Sequence, residues 1–172
     1  RNPCAVSALA DCEHGRFQRV IPDQRGIPLN AASGVLLCSG KFYYELGARR
    51  QQLGRNDVAI VRLEQLYPFP RAEIEAILAD CRAGTNVIWV QEDPENMGAW
   101  RYLRVTVGMH FLGRLPFTGI CRPASASPAT GSTAAHHIEQ EQLLEHAFRQ
   151  EQPAPRPRTE TITGIKQLAT HA

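Results

Sequence analysis

A mostly parallel β-sheet with helices on both faces, a three-layer α/β arrangement, is the fold class this sequence predicts. Two observations carry it. Short, continuous apolar runs recur along the chain: Val35-Leu36-Leu37-Cys38, Val58-Ala59-Ile60-Val61 and Val87-Ile88-Trp89-Val90. Stretches with apolar residues three and four positions apart separate them, the spacing of one helical face. Such alternation builds βαβ units. Strands covered on both sides need no polar face, so their apolar runs are unbroken.

In chain order, residues 1–33 are rich in Pro and Gly and carry one apolar stretch, 17–21. They read as an extended arm lying on another surface. The first apolar run ends at Ser39-Gly40. Residues 41–53 then show helical spacing through Phe42, Leu46, Arg49 and Leu53, stopped by Gly54 and Asn56. After the second run, Tyr67-Pro68-Phe69-Pro70 is a turn, because each proline pushes the residue before it into an extended conformation. Pro70 can open a helix, where its missing N–H is not needed. Ile74, Ile77, Leu78 and Cys81 mark that helix's apolar face, and Gly84 ends it. The third run leads into a loop, Asp93-Pro94-Glu95-Asn96-Met97-Gly98, and a helix over about 100–110. Residues 117–121 form a weaker fourth strand. The last helix covers 133–149, with Ile138, Leu143, Leu144, Ala147 and Phe148 apolar. Beyond it Pro153, Pro155 and Pro157 alternate with polar residues, a linker composition. The expected division is an arm at 1–33, an α/β domain at 34–149 and a Pro-rich, flexible tail at 150–172.

A chain of 172 residues, 43% hydrophobic, is sized for one domain and is too apolar to be fibrous or wholly disordered. No apolar run approaches the roughly 18–20 residues of a membrane span. The start, Arg1-Asn2-Pro3-Cys4, lacks a Met and a signal-peptide pattern, which reads as a fragment or a processed chain. With 19 Lys and Arg against 17 Asp and Glu, the net charge of +2 gives no electrostatic argument for nucleic acid. The cysteines, at 4, 12, 38, 81 and 121, are odd in number with no CxxC pair. Reduced, structural thiols in a cytosol-like compartment are the better reading.

Three groups carry possible chemistry. Ser39-Gly40-Lys41 joins a strand to a helix, where outward backbone N–H groups and the Lys41 charge favour an anion. It is not a Walker loop, and an ordinary junction capped by Ser39 is the plainer alternative. Glu64, Glu92 and Asp93 follow strand ends, the edge where α/β proteins place ligands. Arg62, Arg71, Arg101 and Arg122 fall near the same edge, so mutual ion pairing is the favoured explanation. His136 and His137, with His146 further along the helix, point too far apart to chelate one metal and suit a capping or interface role. Ser125 and Ser127 lack a nucleophile elbow; their small-residue segment suits close backbone packing. The residues alone give a small α/β domain with a charged, ligand-capable edge and no complete catalytic set.

Several segments together resemble a known family. Phe17-Gln18-Arg19-Val20-Ile21-Pro22, Cys38-Ser39-Gly40-Lys41-Phe42-Tyr43-Tyr44-Glu45-Leu46 and 57–70 (DVAIVRLEQLYPFP) are similar to the carboxyl-terminal domain of the thiamine-diphosphate-dependent first component of 2-oxoglutarate dehydrogenase. Trp89-Val90-Gln91-Glu92-Asp93-Pro94-Glu95-Asn96-Met97-Gly98-Ala99-Trp100 and Arg122-Pro123-Ala124-Ser125-Ala126-Ser127-Pro128-Ala129-Thr130-Gly131 continue the resemblance in order. It spans about 1–149; residues 150–172 do not follow the pattern.

The resemblance implies a transketolase-like carboxyl-terminal domain within a homodimeric oxidoreductase of the tricarboxylic acid cycle. That enzyme decarboxylates 2-oxoglutarate and passes the succinyl group to lipoamide. Thiamine diphosphate and Mg²⁺ would bind in earlier domains, outside this segment, so the segment alone would be inactive. Its implied partners are the remaining domains of the chain, a second subunit and the lipoyl-bearing second component, with neither nucleic acid nor membrane. The location would be bacterial cytoplasm or mitochondrial matrix. Some relatives bind an acyl-CoA effector through a Gln and following arginines. Gln65 matches and Arg71 is near the expected position, with Lys41 as a further candidate, but Ala72 and Glu73 stand where more arginine is usual. Cys121 replaces a customary glycine and is expected to crowd the Arg122 segment. Arg62, Glu64, Glu92, Asn96 and Arg122 are expected at a subunit interface or active-site funnel. The alternatives are the same domain of a 2-oxoadipate dehydrogenase and a free-standing CoA or nucleotide module at Ser39-Gly40-Lys41.

Overall fold

The computed structural model describes residues 5–149; the 150–172 tail lies outside them. Its elements are helix α1 (Leu9–His14), strands β1 (Val20–Ile21) and β2 (Gly34–Cys38), helix α2 (Phe42–Gln52), strand β3 (Val58–Leu63), helix α3 (Arg71–Leu78), strand β4 (Asn86–Pro94), helix α4 (Trp100–Val107), strands β5 (His110–Phe111) and β6 (Leu115–Arg122), and helix α5 (Thr133–Phe148). The strands make one sheet in the order β1-β3-β2-β4-β6-β5. β2 pairs in parallel with β3 and β4, and β4 with β6; the two short edge strands pair antiparallel.

The continuous apolar runs do what a doubly covered sheet requires. Along β2, Val35 and Leu37 face one way and Leu36 and Cys38 the other, all at most 1% exposed. The first face, with Val61, Trp89 and Phe117, packs on Ile74 and Leu78 of α3 and Leu103 of α4. The second, with Ile60 and Val90, packs on Phe42 and Leu46 of α2 and Leu143, Leu144 and Phe148 of α5. Removing each such side chain from water contributes about 1.5–3 kcal/mol, so both layers are held by burial.

Several elements differ from the expectation. The supposed arm carries α1 and the edge strand β1, whose Val20 and Ile21 lie opposite Leu63 and Arg62. β4 continues through Pro94 instead of yielding to a loop at Asp93; its pairing with β6 shifts register between Val90 and Pro94. α4 ends at Val107, because Gly108 takes φ +87° and the chain turns into β5. Ile138 on α5 is 60% exposed. Only the later part of that helix lies over the sheet, so its buried face is Leu143, Leu144, Ala147 and Phe148. No helix among the described residues is long and apolar enough to cross a membrane.

Candidate functional site

From β2 the chain passes first to β3 on one side and then to β4 on the other. The carboxyl ends of β2 and β4 therefore diverge, which is where open α/β sheets form their ligand crevice. A cleft of about 540 Å³ lies there, reached by Ser39 after β2 and by Glu92 and Asp93 at the end of β4. Phe42, Leu66 and Trp89 form its apolar side, and Tyr67 and Tyr102 stand at its wall. Gln91 shapes it. Its buried amide donates to the Asp93, Pro94 and Met97 carbonyls and accepts from the Trp89 ring N–H and the Trp100 N–H. One side chain thus folds the 93–98 segment back against the sheet.

A polar network runs beside the cleft. The Lys41 ammonium donates to Glu92 at 2.8 Å and lies 3.5 Å from Glu45. Its pKa is raised, first by the bond to Glu92, with burial opposing. The Gln140 amide, from α5, donates to Glu45 at 2.6 Å and to Glu92 at 2.9 Å. Its oxygen accepts from buried Arg122 at 3.1 Å. Arg122 also donates to His136 Nδ1 at 3.0 Å and lies 3.5 Å from Glu139. Four elements, α2, β4, β6 and α5, meet through this chain of contacts.

The structure joins Lys41 directly to Glu92 and brings Arg122 to them through Gln140, which the sequence did not single out. Arg62 and Glu64 form a second group: their side chains are 3.8 Å apart, and Arg62 lies over the Tyr43 ring at 4.5 Å. Asn96 clamps the exposed Ser125 backbone with two hydrogen bonds, 2.9 and 3.0 Å. Gln65 and Arg71 share no hydrogen-bond partner with Lys41. Gln65 donates to the Pro68 carbonyl, and Arg71 to Glu75 and the Thr106 carbonyl.

Two expectations need correction. Ser39 does not cap α2. Gly40 turns at φ +58°, the helix starts beyond it from Lys41 with no side-chain cap, and Gly40 N–H donates to Glu64 at 3.3 Å. The junction's anion is the protein's own carboxylate. Nor do the paired histidines cap α5: Ser132 does, accepting from the Ala135 N–H, while His136 turns to Arg122. Among the described residues no group of three His, Cys, Asp or Glu is placed to hold a metal.

Cys12, Cys38, Cys81 and Cys121 are free thiols. Burial pushes the Cys38 thiol up to about 12, with the Glu64 charge adding to it. Cys121 is accommodated half-buried within β6. The close approach on that strand falls instead at Gly119, where a Cβ would lie 2.6 Å from the Trp100 ring. No sequence pattern marked it, because the contact joins β6 to α4 across the sheet face.

Comparison with known proteins gives a consistent result. The family described as 2-oxoglutarate dehydrogenase C-terminal matches residues 6–148. The chain is 43% identical over 150 residues to a 2-oxoglutarate dehydrogenase E1 component of Cupriavidus necator, covering 86% of this chain and 16% of that protein. It is 40% identical over 153 residues to the component of the same name in Azotobacter vinelandii, with the same coverage. A multifunctional 2-oxoglutarate metabolism enzyme of Mycolicibacterium vanbaalenii is 39% identical over 153 residues, and the match covers 12% of its length. The chain thus spans 12–16% of the curated relatives it matches.

Proposed function

The chain belongs to the family of 2-oxoglutarate dehydrogenase carboxyl-terminal domains, and from that premise we propose that it serves as a supporting domain of a succinyl-transferring 2-oxoglutarate dehydrogenase first component. In such a parent the reaction removes CO₂ from 2-oxoglutarate and passes the succinyl group to lipoamide. The observation that carries the reading is the family match along almost all the described residues, on a sheet whose carboxyl edge is filled with paired charges.

The parent's thiamine diphosphate and Mg²⁺ do not fit the residues present. The N–H at the strand–helix junction already faces Glu64, and the described residues offer no metal-binding cluster. The contribution of this domain is then positional. Arg62, Glu64, Glu92, Asn96 and Arg122 shape a subunit interface or the funnel toward a centre held elsewhere. Buried Arg122 and the Glu92 carboxylate, joined through Gln140, fix the end of β6 and the start of α5 relative to β4. An acyl-CoA effector at Gln65, Arg71 and Lys41 would have to displace the Pro68, Thr106 and Glu92 oxygens that these side chains now hold.

The test is charge reversal in the full-length enzyme. Glu92→Lys and Arg122→Glu should each weaken dimerisation, read by sedimentation, or lower turnover of 2-oxoglutarate. The milder Asn96→Ala, which frees the Ser125 segment without burying a new charge, should act in the same direction. Dimerisation and turnover unchanged in all three would refute the role.

A further inference from the structure

The cleft between β2 and β4 carries a charge that no cation among the described residues compensates. Two carboxylates line it, Glu92 and Asp93, and no Lys, Arg or His does. Around this edge Glu64, Glu92, Glu95 and Glu139 each face a cation: Arg62, Lys41, Arg101 and Arg122. Asp93 differs. Among the described residues its carboxylate has no hydrogen-bond donor and no ion-pair partner. Gly98, at φ +65°, folds so tightly against it that a Cβ there would lie 2.7 Å from Asp93 Oδ2. The uncompensated charge reaches the next strand, where Glu95 and Asp93 add to the burial that pushes the Cys121 thiol up to about 12.

Two tyrosines line the same cleft. Tyr67, 82% exposed, and Tyr102, 37% exposed, meet edge to face with ring centroids 6.5 Å apart. They come from different segments, the turn after β3 and helix α4. Both leave aromatic surface exposed at the cleft that Asp93 also lines.

We propose that this cleft is a binding site for a guanidinium group, stacked on the tyrosine wall and paired with Asp93. A guanidinium is planar, weakly hydrated and always charged, so it loses little by leaving water for an aromatic surface. Its fork of N–H donors matches a carboxylate with two bonds, which an ammonium cannot do. The volume, about 540 Å³, leaves room for the alkyl arm that carries it. Phosphate-bearing ligands are repelled by the same carboxylates, so this site is distinct in chemistry from any acyl-CoA site. The guanidinium has two possible sources, a small free molecule or an arginine side chain presented by a protein partner.

Calorimetric titration of the 172-residue chain with agmatine, and with end-capped hexapeptides carrying a central Arg, Lys or Gln, tests the proposal. Agmatine or the Arg peptide should bind saturably with Kd near or below about 1 mM, and the Gln peptide should not. Asp93→Asn and Tyr67→Ala, both exposed positions, should each weaken binding about tenfold or more at unchanged melting temperature. Binding of both agmatine and the Arg peptide, with the Lys peptide about tenfold weaker or more, identifies the guanidinium as the determinant, and binding of the Arg peptide alone identifies a protein source. No saturable binding of either ligand, equal binding of the Lys or Gln peptide, or undiminished affinity in Asp93→Asn would overturn it.

Discussion

Substitution of Asp23 by Ala should destabilise this domain more than almost any other change to a polar residue. Asp23 lies in the segment after β1, and its carboxylate pairs with Arg50 of α2; the two side chains are only 3% and 2% exposed. Arg50 also donates to the Val58 carbonyl at 3.0 Å, while its Nε has no partner. The same Asp23 oxygen accepts the Ile60 N–H at 2.7 Å, on the side of β3 where β1 has already ended. Asp23→Ala therefore leaves a buried guanidinium with one carbonyl and exposes a strand N–H to an apolar surround. Breaking a buried pair from one side costs about 3–5 kcal/mol. That is a large part of the roughly 5–15 kcal/mol that separates folded from unfolded domains. At about 2–4 °C per kcal/mol for a chain of this size, the melting temperature should fall by about 6–20 °C. Urea unfolding followed by circular dichroism measures it, with the slope required to stay constant. Pairing Asp23→Ala with Arg50→Met removes the stranded charge and should recover part of the loss. A single-variant cost below about 1 kcal/mol would show that the pair is solvated in solution and refute the reasoning.

Two further outcomes follow from the same structure. Gly119→Ala drives a Cβ into the Trp100 ring, whose nearest atoms would be 2.6 Å away; overpacking of this kind costs about 1–3 kcal/mol, readable as a lower melting temperature. The Asp57 carboxyl is held at about 2, below its ordinary 3.8, first by the Arg55 hydrogen bond and then by the Ser33 hydroxyl against the opposing effect of burial. A lowered folded-state pKa adds stability above about 3.8 that is lost as pH falls through about 2. Asp57→Asn should therefore flatten the acid limb between those values. Because Asp57 is 41% exposed, the difference should stay below about 1 kcal/mol in urea titrations at pH 7, 4 and 2.

The parallel core was legible because burial on both faces writes an unbroken apolar run, and β2, β3 and the start of β4 have one each. What escaped was set by distant partners. β1 and β5 are two residues long, too short for any period to show. The end of β4 is polar, and it remains a strand because Gln91 satisfies the carbonyls of its own turn. Of the arginine–carboxylate pairing expected at the sheet edge, Arg62–Glu64 is present, whereas Glu92 pairs with Lys41 and Asp93 with none of the described arginines. Gln140 lies 48 and 95 positions from the carboxylates it bridges, so nothing local marks it as the hub. Tyr67 and Tyr102 likewise read as one turn residue and one helix residue until the fold sets them side by side.

The charges at this edge also bear on where an anionic effector can sit. In the network, Lys41 and Arg122 face Glu45, Glu92 and Glu139, so two cations meet three carboxylates before Asp93 is counted. Lys41 is spent on its neighbours, and the bond to Glu92 raises its pKa instead of leaving its charge free for a ligand. A phosphate approaching Lys41, whose side chain is 72% exposed, would meet the like charges of Glu45 and Glu92 beside it. Arg71 is different: it is half-exposed, one of its contacts is a neutral carbonyl, and its other is Glu75 one turn along the same helix. An i,i+4 pair of that kind contributes only about 0.3–0.5 kcal/mol and yields readily to a doubly charged ligand. An anionic ligand would therefore meet less repulsion at Arg71 than at Lys41.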